Sequence, residues 1–317
     1  MSVIECAAYG GEATIADRAV GAIMGLAVGE ALGASVAFTP RDTHAPVTDL
    51  VGGGLFARAA GEWGEHTAMT LCLAESLRAA PDFAPPDFMD RLVAWVDRGI
   101  PGLRSGPVEV GYTTSSAIER YRWTGRTAET EPRPRPVDAE SLIRVAPAAI
   151  RWGAAPATAE RVARRQSRVT HAAPEALDAC ALLARCLTAA LRGEDRTSSL
   201  VPGPDPSWCA PVRGLAQGTW KPKRREHIET AGNALDLLEA ALWAVYHAES
   251  FPQAVLTAVN LGNFADATGA LAGQLAGALY GAGALPTRWR RTLVQEDRLR
   301  GVAVALSAPD AGHAPGV

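Results

Sequence analysis

Aromatic side chains are scarce in this chain of 317 residues, at 6%, and neither sign of charge prevails, since 31 Lys and Arg stand against 34 Asp and Glu. A net charge of −3 offers no basic excess to neutralise a phosphate backbone, so nucleic acid is not an expected partner. Hydrophobic residues make up 48% and charged residues 21%, which supports a buried core and excludes a disordered chain. The five cysteines, Cys6, Cys72, Cys180, Cys186 and Cys209, are odd in number and never stand at Cys-x-x-Cys spacing, which excludes the common zinc and redox motifs. They read as reduced, mostly buried thiols of a cytoplasmic protein. The first eleven residues contain no Lys or Arg, so the basic flank of a secretory signal is missing. Also absent are the Gly-x-Ser-x-Gly nucleophile elbow, the phosphate-binding Gly-x-x-x-x-Gly-Lys, the dinucleotide Gly-x-Gly-x-x-Gly and the metalloprotease His-Glu-x-x-His.

What the chain has in abundance is glycine, 31 residues of it. Gly21, Gly25, Gly29 and Gly33 fall four apart within an apolar pattern of helical period from Asp17 to Phe38, and Gly269, Gly273, Gly277 and Gly281 repeat the device near the other end. A glycine inside a helix costs about 1 kcal/mol relative to alanine, so two such ridges need a compensating reason, and close approach of two helix backbones supplies one. A membrane-spanning pair would need about 20 consecutive apolar residues, whereas Glu30 interrupts the first segment and Asp266, Gln274 and Pro286 crowd the second. No membrane partner is expected.

Helical periodicity recurs at Thr67 to Ala80, Pro86 to Arg98, Thr113 to Arg122, Ser141 to Trp152, Ala157 to Ser167, Glu175 to Arg192, Glu229 to Ala248 and Phe251 to Leu261, and no run alternates as a strand would. The polar, proline-rich stretches Thr124 to Asp138 and Gly193 to Pro206 read as surface excursions. Because the two glycine ridges need a common core, the expectation is one compact all-α domain over residues 12–305, with 1–11 and 306–317 as flexible termini. The basic runs Arg161 to Arg168 and Lys221 to Arg225 read as solvated surface.

Polar residues gather at the ends of apolar helices in four places: Gly29 to Gly33, Gly61 to Leu71, Ser167 to Ala176 and Asn260 to Gly269. Helix N-termini present free N–H groups that suit anions and polar ligands. Taken alone, Glu65, His66 and Thr67 are also what an ordinary helix start looks like, with a first-turn acid, a polar neighbour and a capping hydroxyl. His171 alone reads equally as a satisfied interhelical histidine.

In order and spacing these segments resemble the ADP-ribosylglycohydrolases, over roughly Asp17 to Trp289. Gly29-Glu30-Ala31-Leu32-Gly33 is similar to the family's Gly-Asp-Ala-Leu-Gly, and Trp63 to Thr67 to its Trp-Thr-Asp-Asp-Thr. Arg144-Val145-Ala146-Pro147 is similar to its Arg-x-Ala-Pro, Thr170-His171 to its Thr-His, and the stretch from Ala240 through Asn263 to the approach to its Asn-x-Gly-Gly-Asp-Thr-Asp-Thr. The resemblance implies a compact multi-helix fold and hydrolysis of an N-ribosyl bond in an ADP-ribosyl, nucleotide or NAD-derived substrate. It also implies a site in which Glu65, His66 and Asp266 are catalytic and Glu30, Thr67, Gly111, Tyr112, His171, Gly262, Phe264 and Thr268 contact the ligand.

The family holds two Mg²⁺ ions on the two aspartate-rich segments, as hard cations wanting several oxygen ligands require. Here Gly64 stands for the ligand Thr, Glu65 and His66 for the two Asp, Phe264 for the first later Asp and Ala267 for its Thr, with Asp266 alone unchanged. The expectation is therefore a site without the binuclear centre and with no cofactor, hydrolysing through carboxylates that stabilise an oxocarbenium-like transition state and protonate the leaving group. Two alternatives stay open: a single divalent metal on Glu65, His66 and Asp266, which suit a transition metal better than Mg²⁺, and a pocket that binds nucleotide without turnover. Phe264 in place of a ligand carboxylate suggests a ring that packs on a base or ribose face of a small-molecule substrate.

Overall fold

The computed structural model describes residues 13–100, 103, 110–127 and 138–308. Its elements are the helices α1 (Ile15–Gly33), α2 (Glu65–Ala79), α3 (Pro85–Arg98), α4 (Tyr112–Thr124), α5 (Glu140–Ile143), α6 (Ala146–Arg151), α7 (Pro156–Arg168), α8 (Pro174–Leu191), α9 (Arg196–Leu200), α10 (Ala210–Ala216), α11 (Ala234–Tyr246), α12 (Phe251–Val259), α13 (Ala265–Tyr280), α14 (Thr287–Thr292) and α15 (Glu296–Ser307). Among the described residues the only extended pairings are isolated bridges such as Thr39 with Asn263, so the fold is all-α as expected. No helix among the described residues is long and apolar enough to cross a membrane. The segments expected to be flexible fall largely on residues 1–12 and 309–317, outside the described residues, and α15 runs on through Leu306, which is buried.

The two glycine ridges mesh. A Cβ at Gly25 would stand 2.2 Å from the carbonyl oxygen of Gly273, and one at Gly273 would stand 2.0 Å from that of Gly25. Gly21 meets Gly277 and Gly29 meets Gly269 in the same reciprocal way, so α1 and α13 run antiparallel with backbone against backbone at every turn. Such contact is possible only where side chains are absent, which compensates the seven ridge glycines that lie within α1 and α13; Gly281, expected to continue the ridge, instead ends α13 as its C-cap at φ 78°. Both helices are buried over nearly their whole length, and α2, α8, α11, α12 and α15 pack around them. The antiparallel register sets the last turns of α1, with Glu30 and Gly33, beside the first turn of α13, with Asp266.

Several boundaries differ from the sequence pattern, each for a local reason. The single helix expected over Ser141 to Trp152 is two, α5 and α6, because Pro147 cannot donate to the Ile143 carbonyl; Gln274 Nε2 on α13 takes that acceptor at 2.9 Å. The excursion Gly193 to Pro206 contains α9, whose N-cap Asp195 accepts from the N–H groups of Thr197 and Ser198 and whose Leu200 is fully buried. The helix expected from Glu229 starts at Ala234, where Asn233 caps it through Leu235 N and Asp236 N. The first helix stops at Gly33 rather than Phe38, which lies in a left-handed conformation with φ 63°. The basic runs are ion-paired surface: Arg164 meets Asp178, Arg165 meets Asp82 and Lys223 meets Glu239.

Candidate active site

Glu30 organises the site. Its carboxylate is 1% exposed and sits at the N-terminus of α2, accepting from His66 N at 3.0 Å, from Thr67 N at 2.9 Å and from the Thr67 hydroxyl. The N-cap position of α2 is Gly64, which has no side chain to cap with, so a carboxylate from α1 does the capping instead, favoured by the positive end of the α2 dipole. This fixes Glu65 and His66, the first two residues of α2, against Asp266 on α13. Ligand atoms of Glu65, His66 and Asp266 all lie within 4.8 Å of one another, and the Glu65 Oε1 to His66 Nε2 distance is 3.6 Å. His66 Nδ1 is buried without a hydrogen-bond partner.

Burial pushes the Glu65 carboxyl up to about 7; the neighbouring Glu30 and Asp266 charges add to this and His66 opposes it. Burial works against the His66 imidazolium, but the charges of Glu65, Glu30, Asp266 and Glu140 overcome it and hold the ring at about 8. Burial likewise raises Asp266 above the ordinary carboxylate range. Near neutral pH the cluster thus contains a protonatable carboxyl beside a protonated imidazole.

Arg58, which the sequence pattern did not single out, enters the same space. Its side chain is 5% exposed; Nη1 donates to Trp63 O at 3.1 Å and Nη2 lies 3.4 Å from Glu65 Oε2. A lone arginine in a glycine-rich loop carries no periodic signal, so nothing in the sequence marked it.

A second cluster lies alongside. His171 Nε2 pairs with Asp138, His171 Nδ1 with the Thr170 hydroxyl at 2.7 Å, and Glu140 Oε2 stands 3.9 Å from His171 Nε2. Arg144 Nη2 donates to that same Thr170 hydroxyl at 2.7 Å, so the hydroxyl proton points to Nδ1 and His171 donates from Nε2 to Asp138. Asp138, which the sequence placed in a surface excursion, ends on the site: burial would raise its carboxyl, and the hydrogen bonds and charge of His171 outweigh that and hold it low. Gly111 N donates to Glu140 Oε1 at 2.7 Å and the Thr114 hydroxyl to Oε2 at 2.6 Å, so a carboxylate from α5 fills the N-terminus of α4. Tyr112, next in line, is 62% exposed.

The remaining expected ligand residues surround the start of α13. Gly262 takes φ 73° in the turn before it and packs against the Arg41 backbone, and the Thr268 hydroxyl donates to Phe264 O at 2.8 Å. The Phe264 ring is turned toward Phe38, centroids 5.2 Å apart edge to face, and against Gly232, while Phe38 in turn meets Phe56 at 6.1 Å. Phe38, Phe56 and Phe264 thus form an aromatic chain reaching from α13 to the Arg58 loop.

The donor set does not fit two Mg²⁺ ions. Gly64 offers no oxygen, and the space its side chain would use holds a guanidinium: a Cβ there would be 2.3 Å from Arg58 Nη2. Phe264 presents a ring and Ala267 a methyl group. What remains, Glu65, His66 and Asp266, offers donors for one ion at most, with Arg58 Nη2 already 3.4 Å from Glu65 Oε2, and Asp138, Glu140 and His171 form a second group of similar size.

The ADP-ribosylglycohydrolase family model matches residues 11–315, and the chain belongs to that family. It is 37% identical over 92% of its length to the ADP-ribosylarginine hydrolase Tri1 of Serratia proteamaculans, covering 79% of that protein. It is 31% identical to the ADP-ribosyl-dinitrogen reductase glycohydrolase of Rhodospirillum rubrum, covering 87% of this chain and 90% of the relative. A solved ADP-ribosylglycohydrolase-related protein complex superimposes with a TM-score of 0.82 at 37% identity, over 92% of this chain and 98% of that one.

Proposed function

We propose that this protein hydrolyses an N-glycosidic bond to ADP-ribose and does so without the binuclear Mg²⁺ centre. The observation that carries the reading is the convergence of Glu65, His66 and Asp266 within one buried cluster at the junction of α1, α2 and α13. Glu65, raised to about 7, supplies a proton to the departing nitrogen. Asp266, once ionised, faces the oxocarbenium-like carbon and water. His66, orphaned at Nδ1, has a donor to spare for a substrate oxygen. The family membership and the two named relatives support an ADP-ribosyl linkage, with ADP-ribosylarginine as the first substrate to test. The aromatic chain of Phe38, Phe56 and Phe264 supports a base-stacking wall, which also admits a nucleotide or NAD-derived small molecule.

The test is release of ADP-ribose from ADP-ribosylarginine and from NAD in EDTA. Release is expected to persist there and to fall at least about 100-fold in Glu65→Gln, the lower range for loss of a general acid. Activity seen only with added Mg²⁺ overturns the mechanism. Stabilisation by ADP-ribose with no turnover in any condition shows a binding protein instead. Phe264→Ala is expected to weaken ADP-ribose binding about 10-fold, the loss of one stacked ring, and unchanged affinity removes the wall from the account.

A further inference from the structure

Three carboxylates, Glu30, Glu65 and Asp266, converge where α1, α2 and α13 meet, each largely withdrawn from water. Buried negative charges need a counter-charge at close range. Arg58 is built to be one. Its backbone is clamped in a loop by reciprocal hydrogen bonds with Gly53, at 2.7 and 3.1 Å. Its guanidinium is held from one side by Trp63 O at 3.1 Å and rests 5.5 Å from the Phe56 ring centroid. Trp63 is itself fixed, fully buried, with Nε1 donating to Val294 O at 2.8 Å.

Gly64 completes the device. Its φ is −128°, so the demand there is for room and not for a left-handed backbone. An added Cβ would lie 2.3 Å from Arg58 Nη2, 2.6 Å from Cζ and 2.9 Å from Glu30 Oε1. The guanidinium and the Glu30 carboxylate therefore flank the same point, and any side chain at 64 would have to push one of them away. Loss of a side chain at 64 and a cation at 58 are one feature, not two.

We propose that Arg58 is a fixed cation of this pocket beside His66, standing in the space that a side chain at 64 would use, so that the carboxylate cluster works with no bound metal. This rests on the reading of the site as a metal-independent ADP-ribosyl hydrolase. A fixed guanidinium differs from a metal in what it can do: it supplies positive charge and directed N–H donors, but it has no coordination site at which to ionise a water as a metal does. Proton transfer is thereby left to Glu65 and Asp266.

The experiment measures divalent-ion binding directly, by thermal shift and calorimetry on EDTA-stripped protein titrated with MgCl₂, MnCl₂ and ZnCl₂. The wild type is expected to show no saturable rise in Tm with any of the three. Arg58→Leu, which removes the guanidinium, and Gly64→Thr, whose Cβ would meet Arg58 Nη2 at 2.3 Å before Glu30 Oε1 at 2.9 Å, are each expected to gain a saturable upward shift of several degrees with MnCl₂ or ZnCl₂. Circular dichroism establishes that the variants are folded. A saturable response of the wild type that survives His171→Ala, which disables the second acid–histidine group, overturns the proposal whatever the variants do, and so does a folded variant pair that stays unresponsive. ADP-ribose release in EDTA, read on the same wild-type sample, separates the two ideas. Absent release with no metal response defeats the hydrolase reading and leaves Arg58 in its role, whereas metal response with release that survives EDTA does the reverse.

Discussion

Raising the pH from 6 to 8.5 in EDTA is expected to destabilise the ligand-free protein, and the size of the effect follows from the α2 cluster. Glu65 moves from an ordinary 4.5 to about 7 in the folded chain, and His66 from 6.5 to about 8. Both hold their protons more tightly folded than unfolded. Their contribution is complete below the unfolded values and is lost as pH rises through the folded ones, so stability must fall across this window. Asp266, also raised, acts in the same direction. One unit is worth about 1.4 kcal/mol, so His66 alone accounts for about 2 kcal/mol, and part of the Glu65 span lies above pH 6. The groups interact, and their energies are shared rather than summed, which places the expected loss at about 2–3 kcal/mol. For a chain of this size that is a fall in Tm of roughly 4–8 °C, read by scanning calorimetry or fluorimetry. Carboxyls held low, such as Asp138, titrate below the window, and the thiols of Cys72, Cys180 and Cys186, pushed up to about 11 to 12, act above it. Glu65→Gln removes both its own proton and the largest of the charges that hold the His66 proton, so its Tm should fall distinctly less over the same range. A wild-type Tm that is flat or rises from pH 6 to 8.5, or a Glu65→Gln slope equal to the wild type's, refutes the reasoning.

Two further perturbations test the architecture that positions this cluster. Gly25→Ala sets about 1 kcal/mol of improved helix propensity against a Cβ placed 2.2 Å from the Gly273 carbonyl, and overpacking of about 1–3 kcal/mol or more prevails, so the urea midpoint should fall; Gly301→Ala on α15, whose Cβ meets nothing within 4 Å, should raise it. Equal effects at both positions would show that the glycine ridge is not a packing device. Glu30→Ala strands the N–H groups of His66 and Thr67 and the Thr67 hydroxyl, and should cost about 3 kcal/mol or more by chemical denaturation, while a cost below about 1 kcal/mol would show that α2 does not depend on this carboxylate.

The glycine ridges were readable in advance because a four-residue glycine period states both the face and the closeness of the contact. Glu65, His66 and Asp266 were readable because they occupy the positions of a familiar motif. Arg58, Asp138 and Glu140 were not, since each reaches the site from a loop or a short helix whose path depends on tertiary contacts, and a single charged residue in such a segment has no period. The break at Arg144 was visible in Pro147, yet the apolar pattern runs through it unaltered, and only the capture of the Ile143 carbonyl by Gln274 makes the break stable. The helix α9 was hidden by composition: Asp195 is a good N-cap, but Ser, Gly and Pro around it read as loop.

Because α1 and α13 lie near opposite ends of the chain, synthesis delivers the two halves of the meshed pair far apart in time. At 5–20 residues per second, α1 leaves the ribosome on the order of ten seconds or more before its partner exists. During that interval a helix carrying four glycines along one face has neither the propensity nor the packing to hold itself together. The cluster of Glu30, Glu65, His66 and Asp266 therefore cannot assemble until α13 is made, and a product truncated before residue 265 lacks both Asp266 and the helix that packs on α1. The cluster is completed only by about the last sixth of the chain, from Ala265 onward.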